Sequence, residues 1–135
     1  MNKNTNQPLA HGVGRRKAAV ARIWLKRGNG KITINNKDYN QYFDTDVARF
    51  AAYEPLKVYQ NGAKNYDVFA NVYGGGLRAQ ADAVKLAISR AFLQTNETIK
   101  STLRENGLLT VDSRVKERKK YGQKGARRKF QFVKR

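Results

Sequence analysis

The 135-residue chain contains no cysteine and a single histidine, His11. Without cysteine there are no disulfides, no thiolate metal sites and no cysteine nucleophile. One histidine near the start of the chain is poor material for Ser-His catalysis or histidine metal ligation, and it reads as solvated. Acidic residues are also scarce: ten Asp and Glu face 28 Lys and Arg, a formal net charge of +18. Long apolar runs are missing too. The opening "MNKNTNQPLAHGVG" has neither the apolar core of a signal peptide nor the Arg-rich amphipathic pattern of a transit peptide. No stretch approaches the roughly 20 apolar residues of a membrane span. These absences predict a soluble, non-enzymatic protein that needs no cofactor or metal and stays in the compartment where it is made.

What is present is a 40% hydrophobic chain, long enough for one domain with a modest core. Self-repulsion at this net charge weakens a compact state unless a polyanion neutralises it. The expected partner is therefore nucleic acid or an anionic membrane.

The polar opening stretch, with Pro8, Gly12 and Gly14, reads as a mobile arm. Ala19, Ala21, Ile23 and Leu25 then alternate with Val20, Arg22, Trp24 and Lys26, which predicts a strand. A turn at Gly28-Asn29-Gly30 followed by "ITIN" at 32–35 predicts a hairpin. Val47, Phe50 and Ala51 share a helical spacing behind the caps Asp44 and Thr45, and Glu54-Pro55 is expected to end that helix. Asn61-Gly62 marks a turn, and "YDVFANVY" at 66–73 predicts a strand with Val68, Ala70 and Val72 on one face. After Gly74–Gly76, residues Leu77, Ala81, Val84, Ile88 and Phe92 form the apolar stripe of an amphipathic helix. A second helix carrying Ile99 and Leu103 is expected behind "TNET", with Gly107 as its stop. "LLTV" at 108–111 is a candidate last strand.

Three segments carry candidate chemistry. "GGGLRA" at 74–79 has the form of a dinucleotide fingerprint, which needs a second parallel strand after its helix; a second helix is expected there instead. A plain flexible turn is the simplest alternative. The charge of the chain favours a third reading, in which Gly74, Gly75 and Gly76 let a phosphate backbone approach the amides of a helix N-terminus beside Arg78. Arg15, Arg16 and Lys17 stand together ahead of the first predicted strand, a solvated cluster or a phosphate contact. From residue 112 onward the chain holds eleven basic residues and two acidic ones, so half of the net charge lies in 24 residues. Tyr121, Phe130 and Phe132 are interleaved with these cations, which a merely solvated tail does not explain. Rings stack on exposed bases while cations hold phosphates. Gly122 and Gly125 interrupt the segment and no sustained apolar stripe forms, so membrane binding is not expected.

The motifs "GRRKAAVARIWL", "GNGKITIN", "YNQYF", "VYGGGLRAQA", "GLLTVDSR", "ERKKYGQKGARRK" and "QFVKR" occur together and in this order. With them the chain, from Gly12 to Arg135, resembles the universal small-subunit ribosomal protein nine family of bacterial type. It departs from the family's usual pattern at Ala79, where Gly is common, and at Val111, Phe130 and Val133. The resemblance implies an α+β fold: a two-layer sandwich in which a mainly antiparallel four-stranded sheet carries helices on one face, with a left-handed crossover and a long extended basic C-terminal tail. It implies a mobile arm at 1–11, an RNA-binding domain at 12–111 and an RNA-threading tail at 112–135. It further implies a structural role in the head of the small ribosomal subunit, in the cytoplasm. The expected partners are small-subunit ribosomal RNA, peptidyl-site tRNA and neighbouring head proteins.

The predicted ribosomal RNA contacts are Arg15, Arg16, Lys17, Gly74, Gly75, Gly76 and Arg78 in the domain. In the tail they are Arg114, Arg118, Lys119, Lys120, Lys124, Arg127, Arg128 and Lys129. Lys134 and Arg135 are the predicted tRNA contacts. A freestanding architectural nucleic-acid-binding protein is the alternative function, although it gives no reason for the order of the motifs.

Overall fold

Small residues on two facing elements set the architecture. The computed structural model describes residues 7–131, without the side chains of residues 61–63. Strand β1 (Ala10–Arg16) turns directly into β2 (Ala19–Arg27), and the two pair antiparallel from Ala10–Leu25 to Arg16–Ala19. The two-residue link is tight, and Lys17 at its tip has φ of 54°. Gly12 and Gly14 on β1 face helix α4 (Leu77–Thr95), opposite Ala83, Ala87 and Ala91. A Cβ at Gly12 would lie 2.1 Å from the Ala87 carbonyl oxygen, and one at Gly14 would lie 2.1 Å from that of Ala83. The helix backbone thus rests almost directly on the strand backbone.

β1 is an edge strand, and α4 also covers its outer edge. The His11 backbone N–H donates to Gln94 Oε1 at 3.0 Å, and Arg90 Nη1 donates to the Val13 carbonyl at 2.7 Å. Two otherwise free polar groups of the edge are thereby satisfied.

With β3 (Ile32–Ile34), β4 (Lys37–Asp38) and β5 (Tyr66–Tyr73) the sheet has five strands in the order β1-β2-β5-β3-β4, which corrects the expected count of four; three of its four pairings are antiparallel and one is parallel. β5 pairs antiparallel with β2 and parallel with β3. β4 closes the far edge through a two-residue turn. Asn35 and Asn36 both have positive φ there, 50° and 68°, as a twist-matched hairpin turn requires. The hairpin expected around Gly28-Asn29-Gly30 does not form, because β5 lies between β2 and β3. Residues 28–31 step over β5, a gap of roughly 10 Å. The Asp67 carboxylate of β5 holds this link by accepting from the backbone N–H groups of Asn29, Gly30 and Lys31 at 2.9–3.1 Å.

One sheet face is covered and the other is open. Ala19, Ala21, Ile23 and Leu25 of β2 and Val68, Ala70 and Val72 of β5 are buried with Ala81, Val84, Ile88 and Phe92 of α4. Of the expected α4 stripe Leu77 is exposed and the rest is buried, and Ala83, Ala87 and Ala91 are buried as well. Between β3 and β5 the chain passes through β4, α1 (Tyr39–Tyr42), α2 (Asp46–Val58) and α3 (Gln60–Asn65). α2 is capped by Thr45, whose hydroxyl accepts from Ala48 N–H. It runs through Pro55 rather than ending there. Proline removes one N–H in the helix's last turns, while its ring and Leu56 are buried. The expected apolar face of α2 is also corrected: Val47 and Phe50 are exposed, and Ala48 and Ala52 face the core. A 3₁₀ turn at Glu97–Ile99 and helix α5 (Lys100–Glu105) follow α4. Residues 108–111 form no strand, although Leu108 is buried. β1 itself lies where the sequence predicts a polar arm.

If the β1–α4 approach sets the fold, Gly14→Ala forces strand and helix apart. We expect a loss of about 1–3 kcal/mol or more in chemical denaturation; Gly76→Ala, where a Cβ meets nothing within 4 Å, serves as the comparison. An unchanged midpoint for Gly14→Ala would contradict this packing account.

Candidate nucleic-acid interface

The three basic segments separated in sequence meet at one end of the sheet. The β1–β2 turn puts Arg15, Arg16 and Lys17 at this end, and β5 ends beside it through the Val20–Tyr73 pair. The glycine loop then folds against the turn. Gly74 and Gly75 have φ of 77° and 62°, and a Cβ at Gly74 would lie 2.4 Å from the Ala18 carbonyl oxygen. Two of the three glycines therefore have a reason within the chain itself: only glycine fits the conformation and the close approach. Gly76 has open space around it and is the N-cap of α4, with no side-chain cap. The first turn of α4 contains no acidic residue and presents an exposed Arg78. The N-terminal end of a helix dipole and this guanidinium both favour an anion there.

Strand parity separates the basic cluster. Arg15 is exposed on the open face, whereas Arg16 lies on the helix side with Gly12 and Gly14. The Arg16 side chain is only 14% exposed. Its Nη1 lies 3.0 Å from Asp112 Oδ1, its Nε lies 3.7 Å from Asp82 Oδ2, and it donates to the carbonyls of Asp112 and Arg114. Arg16 thus fastens the root of the C-terminal segment to β1 and α4. Asp82 lies one helical turn after Arg78, which keeps Arg78 next to this root.

Asp112 is the centre of the root. Arg114 grips its carboxylate through Nε at 3.0 Å and Nη2 at 2.8 Å, and the Arg114 backbone N–H adds a third bond. These bonds, chiefly those of the Arg114 side chain, hold the Asp112 carboxyl well below the usual carboxylate range. Further along, Glu117 accepts from Lys120 and Arg127, which also lowers its pKa. Lys124 N–H donates to the Arg128 carbonyl at 2.8 Å, closing a small turn around Gly125. Residues 112–131 carry no helix or strand element, and Arg114, Arg118, Lys119, Lys120, Lys124, Arg127, Arg128 and Lys129 are all exposed. Lys134 and Arg135, with Phe132 and Val133, lie outside the described residues. Among the described residues, Arg15, Lys17 and Arg78 have no acidic partner.

Other chemistries find little support in this geometry. α4 leads into a 3₁₀ turn and α5, not into the parallel strand a dinucleotide fingerprint needs. Among the described residues, no three His, Asp or Glu side chains are placed to hold a metal ion. Among the described residues no helix is long and apolar enough to cross a membrane. The roles of Asp82 and Asp112 were not read from the sequence. The parity of Gly12, Gly14 and Arg16 would have placed Arg16 against α4, had β1 been recognised.

The fold and this end of the sheet define a basic α+β domain whose exposed cations and bare helix amides are suited to negative charge. Comparison with known proteins gives the family. The model of the ribosomal protein S9/S16 family matches residues 14–135. Small ribosomal subunit protein uS9 of Christiangramia forsetii is 50% identical over 127 residues, covering 94% of this chain and 98% of the relative. The uS9 proteins of Methylacidiphilum infernorum and Treponema pallidum are 49% and 50% identical over 130 and 127 residues. They cover 96% and 94% of this chain, and 94% and 98% of their own lengths. The chain belongs to the ribosomal protein S9/S16 family, whose members are structural and not enzymatic.

The lowered pKa of Asp112 has a direct test. A carboxylate with a depressed folded pKa contributes stability that is complete above its unfolded value, about 3.9, and is lost as pH falls through the folded pKa. The root should therefore be insensitive to pH between 5 and 8. The Asp112 carboxyl resonance should titrate well below pH 3.9 and move back up in Arg114→Ala. A carboxyl titrating near 3.9 in the unaltered chain would contradict the Arg114 grip.

Proposed function

We propose that this protein is a structural component of the small ribosomal subunit head that binds ribosomal RNA through the turn-and-loop end of its sheet. The observation that carries the reading is the convergence there of Arg15 and Lys17, the Gly76–Arg78 helix start and the root of the C-terminal basic segment. Phosphates drawn together by RNA folding present the dense negative charge such an end requires. Each cation that meets a phosphate releases counterions, so binding weakens steeply with salt. Gly74 and Gly75 serve this surface indirectly, by seating the helix start against the β1–β2 turn. Arg16 does the same for the tail, by tying its root to Asp82 and Asp112.

From that root the basic segment, residues 112–135, follows the RNA as an extended tail. Arg114, Arg118, Lys119, Lys120, Lys124, Arg127, Arg128 and Lys129 supply phosphate contacts along it, with Arg suited to two-pronged binding. The internal pairs at Glu117 are solvent-exposed and give way readily to phosphate. The terminal Lys134 and Arg135 reach the anticodon stem-loop of peptidyl-site tRNA. Neighbouring head proteins and ribosomal RNA enclose the domain, which works in the cytoplasm as part of the ribosome.

Two measurements test this reading. Binding of an RNA fragment comprising the small-subunit head should show a steep salt dependence. Replacing Lys119, Lys124 and Arg128 with Ala should lower the slope of log K against log salt by about 2–3; an unchanged slope would remove the tail from the interface. Deleting Lys134 and Arg135 should leave subunit assembly intact and weaken peptidyl-site tRNA binding by about 0.3–1.5 kcal/mol, more at low salt. Unaltered tRNA dissociation across salt concentrations would contradict the proposed reach of the tail.

A further inference from the structure

The covered face of the sheet forms the core, and among the described residues nothing covers the other face. Strand register arranges its side chains in rows. His11, Trp24, Phe69 and Thr33 form one row across β1, β2, β5 and β3. Val13, Arg22 and Asn71 form the next, and Arg15, Val20 and Tyr73 the last. Phe69 is 37% exposed and Tyr73 56%, both large apolar rings directed at solvent. The His11 and Trp24 rings lie 5.2 Å apart, and Lys26 Nζ sits 4.8 Å from the centre of the Phe69 ring.

The charge on this face has one dominant sign. Arg15, Arg22 and Lys26 provide cations. By register the face also carries Asp67 and Asp38. The Asp67 carboxylate is taken up by three backbone N–H groups, and that of Asp38 accepts from the Asn40 N–H at the start of α1. Rings spaced along a sheet, with Asn71 and Arg22 between them and cations around them, suit one occupant better than a protein surface. Unpaired bases stack on the rings, the amide and guanidinium meet base edges, and the cations hold the linking phosphates.

We propose that the open sheet face is a stacking platform for an unpaired RNA strand, with Phe69 and Tyr73 as its two principal stations. They stand four positions apart on β5, about 13 Å, a distance spanned by a short run of nucleotides. The proposal rests on the RNA-binding reading above and extends the interface from the turn-and-loop end, which it adjoins at Arg15 and Tyr73, across the open face of the sheet.

Trp24 is the only tryptophan, so its emission reports on this face alone. The full-length protein is titrated with a single-stranded oligoadenylate and, separately, with an RNA duplex of equal phosphate count. The oligoadenylate should quench Trp24 saturably and the duplex should not. Phe69→Ala with Tyr73→Ala should raise the midpoint of quenching by about tenfold or more, with Phe69→Tyr and Tyr73→Phe restoring it. Both altered residues are exposed, and an unchanged melting temperature verifies the fold. Unchanged emission at saturating oligoadenylate, or an unshifted midpoint in the alanine variant, overturns the platform. If the head RNA fragment still binds in either case, the platform alone fails. If it does not bind at all, the RNA-binding reading fails with it.

Discussion

The near-contact of two backbones, β1 and α4, is the constraint on which the rest of this molecule depends. Gly12 and Gly14 supply no side chain, and Ala83, Ala87 and Ala91 supply only methyl groups, so helix and strand approach more closely than larger residues allow. This places the start of α4 beside the β1–β2 turn. It sets Asp82 within reach of Arg16, and through Arg16 it fixes where the C-terminal basic segment leaves the domain. A larger residue on either side would loosen the core and also move the cations of the turn away from those of the helix and the tail root.

Charge is divided between two tasks. Asp82, Asp112, Asp67 and Asp38 are occupied within the chain, tying the tail root to the domain, the β2–β3 link to β5 and the start of α1 to its cap. Few acidic side chains are then left to neutralise the cations on the surface. A chain of net charge +18 gains little stability from such an arrangement in isolation. It becomes favourable when phosphates supply the missing negative charge, which is the physical meaning of so basic a protein in a ribosomal family.

Much of the fold was legible where side-chain periodicity is strong. The alternation of Ala19 to Leu25, the run from Tyr66 to Tyr73 and the stripe from Ala81 to Phe92 each lie in the element they predict. β1 was hidden because its inward residues are glycines, which carry no hydrophobic signal; their partners, alanines four apart in α4, were equally quiet. The turn at Gly28-Asn29-Gly30 correctly reverses the chain. The insertion of β5, however, depends on a residue 37 positions away from Gly30, Asp67, and local turn chemistry cannot reveal it. Val47 and Phe50 misled for the opposite reason, since strong hydrophobic signals there lie on the outward side of α2. At the candidate interface the basic residue types were visible from sequence. The inward turn of Arg16 and the structural need for Gly74 and Gly75 emerged only from tertiary packing.

The most direct measurement is site-directed RNA crosslinking from photoreactive residues at positions 17, 78 and 113, each in full-length protein assembled into small subunits. These positions are 35 and more residues apart in sequence, yet each lies at the turn-and-loop end of the sheet. The account predicts that all three crosslink to one contiguous region of folded ribosomal RNA. Crosslinks to widely separated regions, or none from these positions, would contradict it.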